Sequence, residues 1–111
     1  MMNRQHEPTT LELYTWHTPN GRKPAILLAE LEVDYRLHLV NIADGEQKRP
    51  SYVAINPNGK IPALVDRDPN LGSVTVFESG AILLYLAEKH QRFLPRGIGG
   101  RRSEVLSWLF W

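Results

Sequence analysis

The spacing of apolar residues along the first forty residues predicts a strand, a helix and a second strand. Residues 11–16 alternate and are rich in strand-forming side chains, so they favour a first strand. A helix is predicted over residues 21–32, with Asn20 as its cap and on the condition that Pro24 falls within the first turn. Residues 33–42 alternate again. Strand, helix and strand should therefore form a right-handed parallel crossover.

The next fifty residues predict two helices and two more strands. Residues 46–55 favour a short, irregular helix that is interrupted at Pro50. Residues 63–66 and 74–77 are short strands joined by a loop rich in turn residues, compatible with a hairpin. Residues 79–90 predict a helix that is apolar on nearly every face and so needs packing on more than one side. The predicted order is β-α-β-α-β-β-α.

The pattern changes after residue 90. Residues 91–100 contain a proline and several glycines and predict a linker, and residues 101–111 begin another helix that stops in mid-pattern on apolar side chains. We expect a polar tail over 1–10, one domain over 11–90, and the first helix of a second, helical domain in a truncated chain. The alternative is a dimer whose partner covers the apolar faces.

Composition excludes several classes of function. The 13 basic and 12 acidic side chains leave no net field for nucleic acid or an acidic membrane surface, so neither is an expected partner. The sequence has no cysteine, so a thiol reaction would take its sulfur from a ligand. Its four histidines lack metal-ligand spacing, so no metal is predicted. The absence of a secretory-type apolar segment predicts a cytoplasmic protein.

Two short stretches predict a pocket for a small zwitterion. A cis bond between Ile61 and Pro62, at the mouth of a strand, would turn the Ile61 backbone N–H and C=O outward to pair with an extended ligand. Glu78 and Ser79 precede a helix whose first N–H groups are unpaired and carry partial positive charge. A ligand carboxylate would be held there, with Glu78 close to an amino group.

Six motifs in a fixed order carry a family resemblance: Thr18-Pro19-Asn20-Gly21, Asp34-Tyr35-Arg36, Gln47 followed by Arg49-Pro50, Asn58-Gly59-Lys60-Ile61-Pro62-Ala63, the segment 77–87, and Leu106-Ser107-Trp108-Leu109-Phe110-Trp111. They resemble the N-terminal domain of cytosolic glutathione transferases, most closely the bacterial Nu-class, disulfide-bond-reductase-like group and the fungal Ure2-like proteins. The resemblance spans residues 11–111. It implies an α/β thioredoxin-like βαβαββα fold with a four-stranded mixed sheet, plus the start of an all-helical second domain.

The resemblance also implies a glutathione site. Its binding residues would be Gln47, Lys60, Ile61, Pro62, Glu78 and Ser79. Glu78 and Ser79 would hold the γ-glutamyl group, and the Ile61 backbone would pair with the cysteinyl unit. Gln47 and Lys60 would lie along the glycine end. Each residue also fits a plainer role, since Ser79 is a suitable helix cap and long polar side chains are commonly solvated.

Thr18 and Asn20 would lie at the glutathione sulfur and act as the catalytic residues. A donor to sulfur favours the thiolate, which would react with an electrophile or, by exchange, with a disulfide. Turn and cap roles remain open for both residues, and Tyr14 is expected to pack rather than to act as a catalytic phenol. Glutathione or glutathione disulfide is the expected partner, in a homodimer. The alternatives are a non-catalytic regulatory or binding module and an inactive fragment.

Overall fold

A mixed four-stranded sheet forms the centre of the fold in the computed structural model, which describes residues 9–111. Its strands are β1 (Leu11–Thr15), β2 (Arg36–Leu39), β3 (Ala63–Asp66) and β4 (Val74–Phe77), in the order β2-β1-β3-β4. Strand β1 runs parallel to β2 and antiparallel to β3, which is antiparallel to β4. The predicted parallel crossover, the hairpin and the mixed sheet are therefore confirmed.

Helices and short 3₁₀ turns connect the strands: α1 (Pro19–Leu31), 3₁₀ turns Ile42–Asp44 and Glu46–Lys48, α2 (Pro50–Val53), α3 (Ser79–His90) and α4 (Gly100–Phe110). The bounds of β3, β4 and α3 agree residue for residue with the prediction. Helix α4 begins one residue earlier than predicted. The segment 91–99 contains neither helix nor strand.

Apolar side chains cover both faces of the sheet. The larger cluster lies between the sheet, α1 and α3, and its buried members are Leu11, Leu13, Leu28, Leu31, Leu64, Ile82 and Leu86. A smaller cluster on the other side joins buried Val40, Tyr52 and Ala63 to Tyr14, Ile55 and Ile61. The alternation along β1 explains the division, because successive side chains of a strand point to opposite faces. The smaller cluster fixes the segment around α2 against the sheet.

The start of α1 corrects two predictions. The cap is Thr18 rather than Asn20, because the Thr18 side chain accepts a hydrogen bond from the Gly21 N–H, and Pro19 occupies the first helical position, for which its fixed φ is suited. Pro24 therefore lies beyond the first turn, inside the helix. It lacks the N–H that would bond the Asn20 carbonyl, but Asn20 is exposed and water can take that role.

Strand β2 and the segment after it are shorter and less regular than predicted. Strand β2 covers four residues at the sheet edge instead of ten. At its start, the Val33 N–H still bonds the Leu28 carbonyl at the end of α1, and beyond its end Asn41 caps a 3₁₀ turn by accepting bonds from the N–H groups of Ala43 and Asp44. The predicted irregular helix over 46–55 divides into a 3₁₀ turn and α2, with Pro50 opening α2 instead of interrupting it.

Asp66 forms a buried polar network at the end of β3. Its side chain is fully buried and accepts hydrogen bonds from Thr10, Tyr85 and Lys89. Lys89 also lies 3.1 Å from Asp68. Burial alone would raise the pKa of Asp66, but these donors outweigh burial and lower the pKa below its usual value. The network ties β3 to α3 and to the residues that precede β1.

The ends of the described chain differ in their packing. Residues 1–8 of the predicted tail lie outside the described residues, whereas Thr9 and Thr10 are fixed to the domain by their hydroxyl groups. Helix α4 exposes large apolar side chains, namely Val105, Trp108 and Phe110, and Trp111 follows it. Across residues 9–111, no helix combines the length and the apolar character needed to cross a membrane.

Candidate functional site

The sheet register brings three predicted site segments to one edge. Ala63 is the partner of Tyr14 on β1 and of Phe77 on β4. The residues just before β3 therefore lie beside the chain that leaves β1 and the chain that leaves β4. Those segments carry Ile61–Pro62, Thr18 and Glu78–Ser79 respectively. Residues separated by sixty positions in the sequence thus meet at a single edge of the sheet.

Thr18 is held there by tight packing between β1 and α1. The Thr15 hydroxyl donates to the Gly21 carbonyl at 2.9 Å, and the Gly21 N–H donates to the Thr18 hydroxyl oxygen at 2.9 Å. A Cβ on Gly21 would lie 2.2 Å from the Trp16 carbonyl oxygen, so only glycine fits. Because the Thr18 oxygen accepts the cap bond, its own O–H proton remains able to donate to a ligand. Asn20 is exposed on the first turn of α1.

The Ile61–Pro62 bond is cis, as the sequence predicted. Among residues 9–111, none of the turn, loop or cap hydrogen bonds uses the Ile61 backbone N–H or C=O. The preceding Lys60 carbonyl, in contrast, accepts bonds from Tyr52 at 2.6 Å and from Asn56 at 2.8 Å. The backbone at Ile61 is therefore open to an extended ligand while its neighbour is fixed.

Gln47 lies against the same loop. Gly59 has φ +60, and a Cβ built there would lie 3.1 Å from the Gln47 carbonyl oxygen and from the Lys48 side chain. Gln47 is thus close to the residue that precedes Lys60. Its side-chain Oε1 is buried without a hydrogen-bond partner among the described residues. A buried polar atom without a partner is costly, so the side chain has an unused capacity to accept a bond from a ligand.

Glu78 occupies the cap position of α3 with φ +81 and ψ 126, a backbone conformation that is rare for a residue other than glycine. Its side chain makes no cap bond and is exposed. Ser79 is the first residue of α3 and Glu78 occupies the cap position, so the structure does not show the alternative role of Ser79 as the helix cap. The first N–H groups of α3 carry no side-chain cap, and they follow the end of β4 that lies beside the start of β3.

Tyr14 lies on the opposite face of the sheet from the α1 packing, and its hydroxyl donates to Glu12 at 3.4 Å. Its ring stacks on His38 with ring centres 4.3 Å apart. Burial, with the adjacent Glu12 charge, raises the pKa of Tyr14, so the phenol stays neutral. It borders a cleft of about 420 Å³ between β2 and α2 that none of the predicted site residues lines. The expected packing role of Tyr14 agrees with this position.

Within the described part of the chain, no group of three or more His, Cys, Asp or Glu side chains is arranged to hold a metal ion. The polar groups at the sheet edge are a hydroxyl, amides, a carboxylate, a lysine and backbone N–H groups. Such groups suit a flexible zwitterionic ligand with a peptide backbone.

The sequence comparison places this architecture in a family. Residues 9–88 match the model of the glutathione S-transferase N-terminal domain, so the chain belongs to the glutathione S-transferase family. The predicted resemblance and the thioredoxin-like fold are confirmed.

Comparison with individual relatives shows which members of the family the chain is similar to. The chain is 50% identical over 103 residues to the disulfide-bond oxidoreductase YfcG of Escherichia coli, covering 91% of this chain and 47% of that protein. It superposes with a TM-score of 0.85 on the glutathione transferase YghU of Streptococcus pneumoniae, complexed with glutathione, at 48% identity over 95% of this chain and 42% of the other. It superposes with a TM-score of 0.81 on the glutathione transferase URE2P6 of Phanerochaete chrysosporium, in complex with oxidized glutathione. The identity is 38%, over 96% of this chain and 49% of the other. The chain thus spans less than half the length of these relatives.

Sequence reasoning missed Tyr52 and Asn56. Both are polar residues in a segment predicted to be irregular, and both prove to be buried. The available signal was Asn56 itself, since an asparagine two residues before Asn58-Gly59 favours a turn closed by its own side chain. The structure has that bond, from the Asn58 N–H to the Asn56 side-chain oxygen at 3.0 Å.

Proposed function

We propose that the chain binds glutathione at this sheet edge and that the working protein uses the glutathione thiolate, either to reduce disulfides by exchange or to conjugate an electrophile. One observation carries the proposal. The Thr18 hydroxyl, the open Ile61 backbone and the uncapped start of α3 meet at one edge, in a chain without cysteine. Bound glutathione in the relatives supports the same ligand.

Each part of the edge suits one part of the tripeptide. The N–H groups at the start of α3, including that of Ser79, would hold the γ-glutamyl carboxylate, and Glu78 would hold its ammonium group. The Ile61 backbone beside Pro62 would pair with the cysteinyl unit. At the glycine end, the free Oε1 of Gln47 would accept a hydrogen bond from the glycine N–H, and the exposed Lys60 would pair its ammonium group with the glycine carboxylate.

The sulfur would then lie near the start of α1. A hydrogen bond donated by the Thr18 hydroxyl, or by the Asn20 side chain, stabilises a thiolate more than a thiol and so lowers the pKa of the bound thiol. The thiolate is the attacking species in both reactions. Because this chain has no cysteine thiol, both reactions depend on how well it binds and ionises glutathione.

Disulfide reduction takes two glutathione molecules for each disulfide. The first thiolate attacks one sulfur, the S–S bond breaks, and the released thiolate takes a proton. A second glutathione attacks the resulting mixed disulfide, which releases the second thiol and leaves glutathione disulfide. The substrate gains two electrons and two protons, and the two glutathiones lose them. In conjugation, the thiolate forms a carbon–sulfur bond while a leaving group departs from that carbon with its bonding electrons, or while a double bond opens and takes up a proton, and no separate oxidant or reductant is needed.

The binding step is tested by calorimetric titration with glutathione and with glutathione disulfide. Glu78→Ala should weaken glutathione binding by about 1.5 to 3 kcal/mol, which is typical of a lost charge-assisted hydrogen bond. Glu78→Gln should lie between wild type and Ala, since it keeps the shape and loses the charge. Glu104→Ala on α4 is the matched control and should bind normally. Equal affinity for wild type and Glu78→Ala would remove Glu78 from the site.

The reaction is tested separately, by following reduction of a small disulfide with glutathione as the electron donor. Turnover would support the disulfide-reductase activity, whereas tight binding without turnover on disulfides or electrophiles would favour the regulatory module.

The exposed apolar side of α4 supports a further proposal, that additional helices and a second subunit cover it in the working protein. Sedimentation of a longer and a shorter form of the protein tests this part.

A further inference from the structure

The Lys60 carbonyl is held by two buried donors from the segment that precedes it. The Tyr52 hydroxyl donates to it at 2.6 Å and the Asn56 side-chain amide at 2.8 Å. Tyr52 is 5% exposed and Asn56 is 2% exposed, whereas Lys60 itself is exposed. Buried polar side chains in folded proteins are hydrogen-bonded, and here two of them bond to the same backbone oxygen at the edge of the candidate site.

The geometry of the peptide bond gives this arrangement a consequence for Ile61. The Lys60 carbonyl and the Ile61 N–H belong to the same planar peptide unit, and in a trans unit they point in opposite directions. Fixing the oxygen from two sides therefore fixes the direction of the Ile61 N–H. In the described chain, that N–H takes part in none of the turn, loop or cap hydrogen bonds. It is a donor with a set direction.

Asn56 is itself fixed on every side. Its backbone N–H donates to the Tyr52 carbonyl at 2.9 Å, and its backbone carbonyl accepts from the Gly59 N–H at 2.8 Å. Its side-chain oxygen accepts from the Asn58 N–H at 3.0 Å while its side-chain nitrogen donates to Lys60. This one residue therefore shapes the whole loop from 56 to 60, and aspartate or alanine would lose the donor to Lys60.

Tyr52 remains a donor throughout the physiological range. Burial raises its pKa to about 12, even though the neighbouring Asn56 acts in the other direction. Two donors on one carbonyl also polarise the amide and strengthen its N–H as a hydrogen-bond donor. Both effects act on the Ile61 N–H without any contact between Tyr52 and a ligand.

We propose that Tyr52 and Asn56 are positioning residues that orient the Ile61 N–H toward the cysteinyl carbonyl of glutathione and thereby set the affinity of the site. The inference rests on the proposed function, because glutathione is the ligand that the Ile61 backbone would meet. It goes beyond that function by assigning two residues that touch no substrate.

The test compares two ligands in calorimetric titrations of the same protein. One is glutathione, and the other is its thioamide analogue, in which the cysteinyl carbonyl oxygen is replaced by sulfur, a weaker acceptor. Tyr52→Phe removes only the hydroxyl, and Asn56→Asp removes the amide donor while keeping an acceptor for the Asn58 N–H. Val40→Ala is the control, since Val40 packs in the same apolar cluster as Tyr52 and makes no bond to Lys60.

Tyr52→Phe should weaken glutathione binding about three- to tenfold, the range expected for one net hydrogen bond, and Asn56→Asp should weaken it at least as much. The thioamide should bind wild type more weakly, and Tyr52→Phe should weaken it further by less than twofold, because the bond that the tyrosine orients is already impaired. Val40→Ala should change neither affinity, although it lowers the urea midpoint.

Other outcomes separate the two proposals. Equal losses for both ligands in Tyr52→Phe would show general loosening of the loop and overturn the positioning role. Normal binding by both variants, with wild type binding glutathione, would overturn it while leaving the proposed function in place. If folded wild type binds no glutathione, the proposed function fails and the positioning role fails with it.

Discussion

Thr18 caps α1 and, in the proposed site, also donates to the glutathione sulfur, and substitutions can separate these roles. Thr18→Ala removes both. Thr18→Ser keeps both, because serine has the same hydroxyl. Thr18→Asp keeps the cap, since a carboxylate accepts from the Gly21 N–H as the threonine oxygen does at 2.9 Å. An ionised aspartate, however, has no proton to donate, and its charge repels a thiolate.

The magnitudes follow from these contacts. Loss of an N-cap side chain costs about 1 kcal/mol of stability, so Thr18→Ala should lower the free energy of unfolding by about that amount while the serine and aspartate variants stay near wild type. Loss of a hydrogen bond to a charged group is worth about 1.5 to 3 kcal/mol. If the bond acts on the thiolate, turnover should fall about ten- to a hundredfold in the alanine variant. The aspartate variant should be at least as slow.

Two measurements check this reasoning. Urea unfolding gives the stability order, and the rate of disulfide reduction by glutathione, measured against pH, gives the catalytic order. Loss of the donor raises the pKa of the bound thiol, so the profile of Thr18→Ala should move to higher pH. Wild-type turnover in Thr18→Asp, or losses in turnover that only parallel the losses in glutathione affinity, would refute a role at the sulfur and leave Thr18 as a helix cap.

Two further predictions concern stability. Gly21→Ala should destabilise the fold by about 1 to 3 kcal/mol in urea unfolding, because the new methyl group would overlap the Trp16 carbonyl oxygen; Gly100→Ala, where a Cβ meets no atom within 4 Å, should have little effect. The Asp66 carboxylate has a lowered pKa in the fold, so its contribution is complete above the unfolded pKa and is lost as pH falls through the folded one. Urea midpoints measured from about pH 7 down to 3 should therefore decrease once the pH is below about 4. Asp66→Asn should be less stable at about pH 7, and its acid limb, the decrease in its midpoint at low pH, should be less steep. A steep acid limb in Asp66→Asn would assign the acid sensitivity to other carboxylates.

Regular elements were the part of the fold that the sequence predicted best. Strands β3 and β4 and helix α3 have strong local signals, and their bounds agree with the prediction. These signals are a short apolar run bounded by turn residues in β3, alternation in β4 and a long apolar helical run in α3. The start of α1 was misplaced because Thr18 and Asn20 are both acceptable caps, and only the packing of Gly21 against β1 selects between them.

In the candidate site, too, some features were predictable from the sequence and others were not. The residue types at Ile61, Pro62 and Glu78 were sufficient to predict a cis bond and an exposed helix start, because both depend on near neighbours in the chain. The convergence of Tyr52 and Asn56 on one carbonyl was not predictable, since it depends on how an irregular segment folds back on itself.

The order of strands and helices, the family and the absence of a cysteine thiol follow from local pattern and composition. Which distant groups meet depends on the folded chain. The register of β1, β3 and β4 brings Thr18, Ile61 and Glu78 to one edge, and burial pairs Asp66 with Lys89, which follows it by 23 residues. Such meetings depend on long-range packing, which no local periodicity encodes.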